Sequence, residues 1–392
     1  MNKKNLLVAF GGSSPEHEVS VLTAMQAIAS LDESYNPVPL YITKAGRWLT
    51  GEALLELENY QNLQQLESNA LPCTLAFGEN GSPVLMGTKT GLFSKPRTFQ
   101  LYAVLIAFHG ADGENGSFQG VCEMFNLPYT GAGVTGSAVG MDKRMAKDLC
   151  AAHGISVTPH VWFTETEWIE KNERLKNDIQ SLNFPLFVKP VHLGSSIGVS
   201  RAETFDKAEE AIETAFRYDQ ELIVEEAVQP LMEINCSVLG DQAEARASVC
   251  EQPMGKDESL SFEDKYMSGD SGSKGMASAQ RIIPAPISDE LTKTIQDLSV
   301  SIFRLLKISG VARLDFLVNT DTHEISFNEI NTIPGSFSFY LWDKTETPFP
   351  KLLNEIIDIA VNQHRLKNGR VRSYETNLLS TRSVKGIKGL KK

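Results

Sequence analysis

Two segments of alternating side chains near the C-terminal end of the chain constrain the fold more than any other feature. Residues 310–318 read Gly-Val-Ala-Arg-Leu-Asp-Phe-Leu-Val, with the apolar and β-branched content of a strand, and residues 324–331 form a second such segment after a polar turn. Because side chains alternate along a strand, Arg313 and Asp315 share one face, and Glu329 and Asn331 share a face of the second strand. An antiparallel hairpin would place these four side chains opposite one another.

This predicted hairpin gathers hard oxygen ligands. Two carboxylates and one amide oxygen suit Mg²⁺, which proteins hold with a few carboxylates together with substrate phosphates. An ordinary solvated hairpin with an ion pair is the alternative. The Pro-Gly turn that ends at Gly335 follows directly, and its backbone N–H groups can stabilise a developing oxyanion. The hairpin therefore predicts a phosphate-dependent site.

Composition limits the classes of protein that the chain can represent. With 392 residues it is long enough for two or three domains, and its net charge of −12 argues against nucleic acid as a general partner. No apolar run approaches membrane-spanning length, and the first residues show no signal-peptide pattern. Five scattered cysteines without a CxxC motif favour reduced thiols in the cytoplasm. The basic residues of 371–392, with interspersed glycines, predict a flexible solvated tail, with contact to a membrane surface or RNA as the alternative.

The N-terminal third begins with a strand–glycine–helix unit. The apolar run at 6–10 is followed by Gly11-Gly-Ser-Ser and a helical pattern, so Glu16 lies where α/β sheets bind ligands. A plain helix-dipole contact is the alternative for Glu16. The cluster of glycine and polar residues that starts at His109 predicts a loop that passes close to a ligand, unless His109 is a packed structural residue. The G-x-G-x-x-G match at 131–136 lacks the strand and the acidic residue of a dinucleotide site, so we reject that function.

The middle of the chain carries residues suited to phosphate. Lys143 starts a helix, and Lys189 lies inside an apolar strand, where a lysine is costly unless it meets negative charge. The loop Gly194-Ser195-Ser196 offers N–H and hydroxyl donors to phosphates. It also matches G-x-S-x-G with Ser196 as nucleophile, but a hydrolase elbow runs from strand into helix, and here a strand or turn follows.

A strand at 221–228 ends in two acids, Glu225 and Glu226. Such a segment can offer backbone groups to an adenine edge, with Glu233 as the candidate for the ribose, whereas solvated acids at a strand end are the alternative.

Taken together and in this order, these motifs resemble the ATP-grasp superfamily, and in particular the D-alanine–D-alanine ligase family, from residue 6 to about residue 360. The resemblance implies that Glu16 binds the ammonium group of the first D-alanine, with Ser195 and Tyr266 in one hydrogen-bonded set and His109 in the substrate-binding glycine motif. It implies ATP contacts for a further group of residues: Lys143, Lys189, Ser196, Glu225, Glu226, Glu233 and Lys265. It implies Mg²⁺, or Mn²⁺, on Asp315, Glu329 and Asn331, and oxyanion stabilisation by Arg313 and the Gly335 N–H.

The sequence departs from the family pattern after Gly335. The family usually has a serine there that holds the carboxylate of the second substrate, whereas this chain has Tyr340 at that place, with Ser338 as the nearest substitute. The connection from Glu226 to Glu233 also lacks the usual glycine. The identity of the second substrate therefore stays open.

We therefore expect a three-domain α/β ATP-grasp protein. The expected divisions are 1–140, an N-terminal parallel-sheet domain for substrate; 141–230, a central subdomain; 231–370, a subdomain with the metal site and a lid at 264–275; and the tail 371–392. The expected activity is ATP-dependent joining of two D-alanines for peptidoglycan synthesis, through an acyl phosphate, in a cytoplasmic enzyme that the resemblance makes a homodimer. A ligase that joins D-alanine to D-serine or D-lactate, and a non-catalytic nucleotide-binding protein, are the alternatives.

Overall fold

Three β-sheets organise the chain in the computed structural model, which describes residues 3–88, 96–170, 172–254 and 281–371. The strands are β1 Lys4–Gly11, β2 Tyr35–Ile42, β3 Trp48–Thr50, β4 Leu71–Phe77, β5 Pro83–Gly87, β6 Thr98–Gln100, β7 Ala103–Ile106, β8 His160–Thr164, β9 Leu186–Pro190, β10 Ser200–Ala202, β11 Glu221–Glu226, β12 Leu231–Gly240, β13 Ala245–Pro253, β14 Arg281–Ile282, β15 Gly310–Asn319 and β16 Ile325–Asn331. The predicted lid, with Lys265 and Tyr266, and residues 372–392 of the predicted tail lie outside the described residues.

Helices cover the faces and ends of these sheets. The α-helices are α1 His17–Ser30, α2 Leu63–Asn69, α3 Ala111–Glu114, α4 Ser117–Met124, α5 Val134–Met141, α6 Lys143–Ala152, α7 Glu165–Glu170, α8 Asn172–Gln180, α9 Phe205–Ala215, α10 Asp289–Leu305, α11 Phe339–Trp342 and α12 Phe349–Asn368. Short 3₁₀ helices cover Glu52–Leu55, Leu57–Asn62 and Gly335–Ser338. No helix among the described ranges is both long and apolar enough to cross a membrane.

The first sheet is mixed, with the order β6-β5-β4-β3-β2-β1-β7. The pairs β1–β2 and β1–β7 are parallel, in agreement with the predicted parallel-sheet domain, and the other described pairs of this sheet, from β2–β3 to β5–β6, are antiparallel. The connections differ accordingly: short links of five residues join β2 to β3 and β4 to β5 and suit antiparallel pairs, whereas the parallel pair β1–β2 is joined by a crossover through α1. Residues 6–10 of β1 are fully buried, as expected of a strand covered on both faces.

The second and third sheets are antiparallel, with the orders β10-β9-β11-β8 and β14-β13-β12-β15-β16. In the third sheet Arg313 pairs with Asn331, and Asp315 pairs with Glu329, before an irregularity in the register that follows Asp315. The antiparallel hairpin and its register, both predicted from alternation alone, are confirmed.

The strands of the three sheets fall within the three predicted ranges, but two helices pack across them. On α6, Ala146 and Cys150 join the core of the third sheet. On α12, Leu353 and Ile357 join the core of the first sheet, which also includes Ile333 from the loop after β16. The loop after β16 is therefore anchored in the core of the first sheet.

Candidate active site

A single cavity receives residues from all three sheets. The predicted site residues on its walls are Glu16, His109, Lys143, Lys189, Ser195, Ser196, Glu225, Glu226, Glu233, Arg313, Asp315, Glu329, Asn331 and Gly335. Ser338 and Tyr340 do not line it, and Lys265 and Tyr266 lie outside the described residues. The structure thus brings together fourteen of the sixteen predicted site residues that it describes.

At the N-terminal side of the cavity, Ser195 Oγ donates a hydrogen bond to Glu16 Oε1. Glu16 precedes α1, and Ser195 lies in the loop between β9 and β10. Ser195 and Ser196 both have left-handed backbones, with φ of 54° and 59°. Strained backbone of this kind is common where a loop is shaped around a ligand. A strand follows the loop, so Ser196 does not occupy the strand-to-helix elbow of a hydrolase.

Buried Glu114 joins this region to the loop after β16. Its Oε2 accepts from the Gly110 N–H at 3.0 Å, and its Oε1 accepts from the Ile333 N–H at 3.0 Å. Burial, with the added charge of Glu16, raises the pKa of Glu114 to about 7. The carboxyl group thereby fixes the segment that leads into Gly335.

His109 supports the same segment from the other side. Its Nε2 lies 2.7 Å from Thr23 Oγ1, which accepts from the Ser336 N–H at 3.0 Å. Burial lowers the pKa of His109 to about 4, so its ring is neutral at pH 7. A neutral Nε2 can accept the Thr23 proton, which leaves the Thr23 oxygen to accept from Ser336. His109 is thus both a cavity wall and a support for the Gly335 turn.

The two predicted phosphate lysines are held by acids. Lys143 Nζ donates to the Leu193 carbonyl and lies 3.4 Å from Glu329 Oε2. Lys189 Nζ donates to Glu225 Oε2 at 2.9 Å and to Asn328 Oδ1 at 3.1 Å. Both lysines line the cavity, which suits them to meet the phosphates of a nucleotide.

Glu225 is fully buried and also meets a second lysine, Lys147, which sequence reasoning missed. Lys147 Nζ lies 3.2 Å from each carboxylate oxygen of Glu225 and donates to Thr158 Oγ1 at 3.0 Å. Burial lowers the pKa of Lys147 to about 8. Burial alone would raise the pKa of Glu225, but Lys147 and Lys189 outweigh it and hold the pKa of that carboxyl well below its usual range. The carboxylate thus supports Lys189 from behind.

Glu226 and Glu233, the other acids predicted to contact the nucleotide, are less buried than Glu225. Glu226 accepts hydrogen bonds from the backbone N–H and the side-chain amide of Asn183, at 2.9 and 3.1 Å. Glu233, on β12, lines the cavity near Leu231 and Leu317. This mixture of apolar walls and acids fits the base and ribose of a nucleotide.

The hairpin of the third sheet supplies the oxygen ligands. Asp315 accepts a two-pronged ion pair from Nε and Nη2 of Arg313, each at 2.7 Å, and a 3.1 Å bond from Asn331 Nδ2. Burial raises the pKa of Asp315 despite Arg313, and the negative charge of Glu329 adds to the effect. Two half-buried acids that repel each other, beside an amide oxygen, are a donor set that a divalent cation would stabilise. Among the described residues, no cluster of three or more His, Cys, Asp or Glu side chains is suited to a metal, and the predicted set instead combines two acids with the amide of Asn331.

The segment that replaces the family's serine turns away from the cavity. Ser336, Phe337 and Ser338 all have left-handed backbones, with φ of 53°, 53° and 51°. Ser338 is fully buried, and its Oγ has no hydrogen-bond partner among the described residues. Ser338 therefore lies outside the cavity wall. The Tyr340 hydroxyl donates to Glu251 Oε1 at 3.2 Å instead.

Sequence reasoning missed four residues around the cavity, and their signals were weak: Glu114, Lys147, Glu251 and Arg281. Glu114 lies within the cluster of glycine and polar residues that starts at His109. Lys147 follows Lys143 by one helical turn, which a surface lysine would also do. Glu251 and Arg281 carry no motif, and only the pairing of β13 with β14 brings them together.

Comparison with known proteins agrees with this geometry. The family model described as D-ala D-ala ligase N-terminus matches residues 5–132, and the model described as D-ala D-ala ligase C-terminus matches residues 149–358. The D-alanine–D-alanine ligase of Thermosipho melanesiensis is 36% identical over 376 residues, which cover 96% of this chain and 98% of that protein. The enzyme of the same name from Bacillus cytotoxicus is 35% identical and covers 94% of this chain and 98% of its own.

Solved structures agree as well. The D-alanine–D-alanine ligase from Coxiella burnetii has a TM-score of 0.75 and 30% identity, over 94% of this chain and 97% of that one. The VanG D-Ala:D-Ser ligase from Enterococcus faecalis has a TM-score of 0.76 and 29% identity, over 92% of this chain and 100% of that one. These matches confirm the predicted α/β ATP-grasp fold. The chain belongs to the D-alanine–D-alanine ligase family.

Proposed function

We propose that this protein joins two D-alanines at the expense of ATP, forming D-alanyl-D-alanine, ADP and phosphate for peptidoglycan precursors. The observation that carries the proposal is the convergence, in one cavity, of the Glu16–Ser195 pair, the lysines Lys143 and Lys189, and the Arg313–Asp315 pair. An ammonium-binding carboxylate, phosphate-binding cations and an oxyanion-stabilising guanidinium are the three devices that such a ligation needs.

Phosphoryl transfer comes first. Lys143 and Lys189 neutralise the phosphates of ATP while the γ-phosphoryl group passes to the carboxylate of the first D-alanine, which gives an acyl phosphate and ADP. Glu225 keeps Lys189 in place because its own charge is buried and held by Lys147. Glu16 binds the ammonium group of the first D-alanine, with Ser195 orienting the carboxylate of Glu16.

The third-sheet hairpin fits a divalent cation. Asp315, Glu329 and Asn331 would hold Mg²⁺ or Mn²⁺, and the ion would offset charge on the transferred phosphoryl group. Arg313 is kept beside these ligands by its two bonds to Asp315, and Lys143 is kept there by Glu329.

Ligation follows. The amine of the second substrate attacks the acyl phosphate and forms a tetrahedral oxyanion, and phosphate then leaves. Arg313 and the Gly335 N–H stabilise that oxyanion, since preorganised donors act most strongly on charge that develops during the reaction. Glu114, His109 and Thr23 hold the Gly335 turn so that it need not reorganise.

Replacing the metal ligands tests the proposal. Asp315→Ala or Glu329→Ala should abolish ADP release that depends on D-alanine, because each removes a ligand of the cation and frees a neighbouring positive charge. Glu324→Ala is the matched control, since Glu324 is an exposed acid on the same hairpin, away from the cavity walls. Full activity in either ligand variant would contradict the metal assignment, and nucleotide binding without turnover in the unchanged protein would favour a non-catalytic role.

One observation favours a second candidate, a ligase for a different acceptor. Tyr340 stands where the family usually has a carboxylate-binding serine, and one structural relative is described as a D-Ala:D-Ser ligase. Product analysis with D-alanine alone, and with D-alanine plus D-serine or D-lactate, separates the candidates. A mixed product that dominates over D-alanyl-D-alanine would favour the second.

The setting of the enzyme is also proposed. All five cysteines are free thiols, which supports a reducing cytoplasm. The proposal of a homodimer is based on family resemblance. Light scattering of the purified protein would measure its molar mass in solution and so test the proposal.

A further inference from the structure

The cavity wall next to the Gly335 turn is built differently from the family pattern. Tyr340 is buried behind this wall, brought there by the three left-handed residues that precede it. Its hydroxyl group is bonded to Glu251, so the side chain at the position of the family's serine does not itself reach the cavity. Another group has to meet the carboxylate of the second substrate.

Arg281 is the residue that Tyr340 supports. The guanidinium carbon of Arg281 lies 4.0 Å from the centroid of the Tyr340 ring, and its Nη1 donates to Glu251 Oε2 at 3.0 Å. The side chain of Arg281 is 10% exposed, and it lines the cavity. A guanidinium stacked on a ring and tied to a carboxylate has lost most of its rotamer freedom before a ligand arrives.

Glu251 is equally fixed. It is 2% exposed, and its Oε1 accepts from Asn235 Nδ2 at 3.1 Å as well as from Tyr340. Within the described part of the chain, the partners of this carboxylate therefore come from strands of the third sheet and from α11. The result is a rigid support that presents the guanidinium of Arg281 to the cavity.

The other positively charged side chains on the described part of the cavity wall already have proposed roles in the reaction. Arg313 binds Asp315 and faces the oxyanion, while Lys143 and Lys189 are held by Glu329 and Glu225 at the phosphate end. An α-carboxylate on the second substrate needs a charged donor, and the planar fork of an arginine matches a carboxylate better than any other side chain.

We propose that Arg281, held by Glu251 and the ring of Tyr340, binds the carboxylate of the second substrate in place of the family's serine. The proposal rests on the proposed function. If Arg281 binds this carboxylate, the second substrate is an amino or hydroxy acid with a free α-carboxylate. Arg281 itself should then disfavour acceptors that lack this carboxylate.

Competition between two acceptors tests the assignment. The enzyme is given ATP, D-alanine and an excess of D-alaninamide, which can accept but carries no carboxylate, and mass spectrometry measures the ratio of D-alanyl-D-alanine to D-alanyl-D-alaninamide. Arg281→Lys keeps a cation beside Glu251 but loses the fork and the stacking. We expect it to lower that ratio by at least about tenfold, the scale of one charge-assisted hydrogen bond.

Three further variants separate binding from structural support. Arg246→Lys is the matched control, because Arg246 also pairs with a glutamate, Glu355, at 2.6 Å and lies 5.5 Å from the ring of Trp342, away from the cavity walls. Its product ratio should equal that of the unchanged enzyme.

The double change of Arg281→Gln with Glu251→Gln removes both charges, leaves no unpaired buried carboxylate, and should lower the ratio as Arg281→Lys does. Tyr340→Phe keeps the ring beneath Arg281 and should keep the ratio.

Several results would overturn the inference. An unchanged ratio in Arg281→Lys, with both products reduced equally, would make Arg281 merely the counter-ion of Glu251. A ratio that falls in Tyr340→Phe as far as in Arg281→Lys would assign the carboxylate to the Tyr340 hydroxyl. Failure of the unchanged enzyme to make any D-alanyl-D-alanine would instead overturn the proposed function, and the inference would fall with it.

Discussion

Glu225 illustrates how one buried charge can organise a site. Its carboxylate lies between Lys147 and Lys189, and only Lys189 reaches the cavity. Each lysine would be costly to bury alone, whereas the group of three carries a single net positive charge that is available to a phosphate. The carboxylate of Glu225 therefore acts through Lys189, and the contact of Glu225 with the nucleotide stays a prediction.

Glu225→Gln should be strongly destabilising for this reason. The variant keeps the shape of the side chain but leaves two ammonium groups near each other in the interior, and breaking a buried pair costs about 3–5 kcal/mol. Urea unfolding measures the loss, and we also expect a raised KM for ATP because Lys189 loses its partner. Glu210→Gln, which breaks the exposed pair with Lys207, should cost less than about 1 kcal/mol. Equal losses in the two variants would show that the Glu225 cluster is not stabilising.

The loop between β9 and β10 is held at its base by a charged histidine. His192 Nδ1 lies 3.0 Å from Asp219, and Nε2 lies 3.6 Å from Asp142, the residue before α6. Asp142 and Asp219 raise the pKa of His192 to about 10. The next residue, Leu193, supplies the carbonyl that accepts from Lys143. The clamp thus sets the distance between Lys143 and the Ser195–Ser196 loop.

This clamp predicts a specific pH dependence. Because the pKa of His192 is higher in the folded state than its unfolded value of 6.5, its stabilising contribution is complete below about pH 6.5 and is lost as the pH rises through about 10. The difference in Tm between the unchanged protein and His192→Gln should therefore be largest near pH 6 and vanish near pH 10. His153→Gln is the control, since the ring of that exposed histidine bonds the backbone carbonyl of Leu149 at the end of α6. A difference in Tm that stays constant over this range would contradict the clamp.

Local pattern predicted the elements that follow a simple rule. The β15–β16 hairpin has period-two alternation, so the meeting of Arg313, Asp315, Glu329 and Asn331 could be read directly. The left-handed run at Ser336–Ser338 could not, because none of its residues is a glycine and tertiary contacts alone, such as that of the Ser336 N–H with Thr23, hold it. The Glu251–Arg281–Tyr340 cluster could not be predicted for a similar reason, since its members are far apart in sequence. The pairing of β13 with β14 brings Glu251 to Arg281, and the left-handed run brings Tyr340 to both.

At the scale of the whole molecule, the first sheet and the active-site loop share one core. Leu353 on α12 is fully buried among residues of the first sheet, and the same cluster includes Val311 from β15 and Ile333 beside Glu114. The predicted boundaries at 140 and 230 follow the sheets, but this core crosses them. The position of the Gly335 turn therefore depends on packing contributed by the C-terminal helix.

Leu353→Ala should test this dependence. Removing a fully buried leucine side chain costs about 2–5 kcal/mol, and urea unfolding should show a loss of that size. Leu366→Ala on the same helix removes a side chain that is 53% exposed, so its effect should stay within about 0.5 kcal/mol. Because Ile333 belongs to the damaged core, the first variant should also lose ADP release at a lower temperature than the second. If ADP release in Leu353→Ala persisted to the same temperature as in Leu366→Ala, the Gly335 turn would be independent of this core, and its position would rest on Glu114, His109 and Thr23 alone.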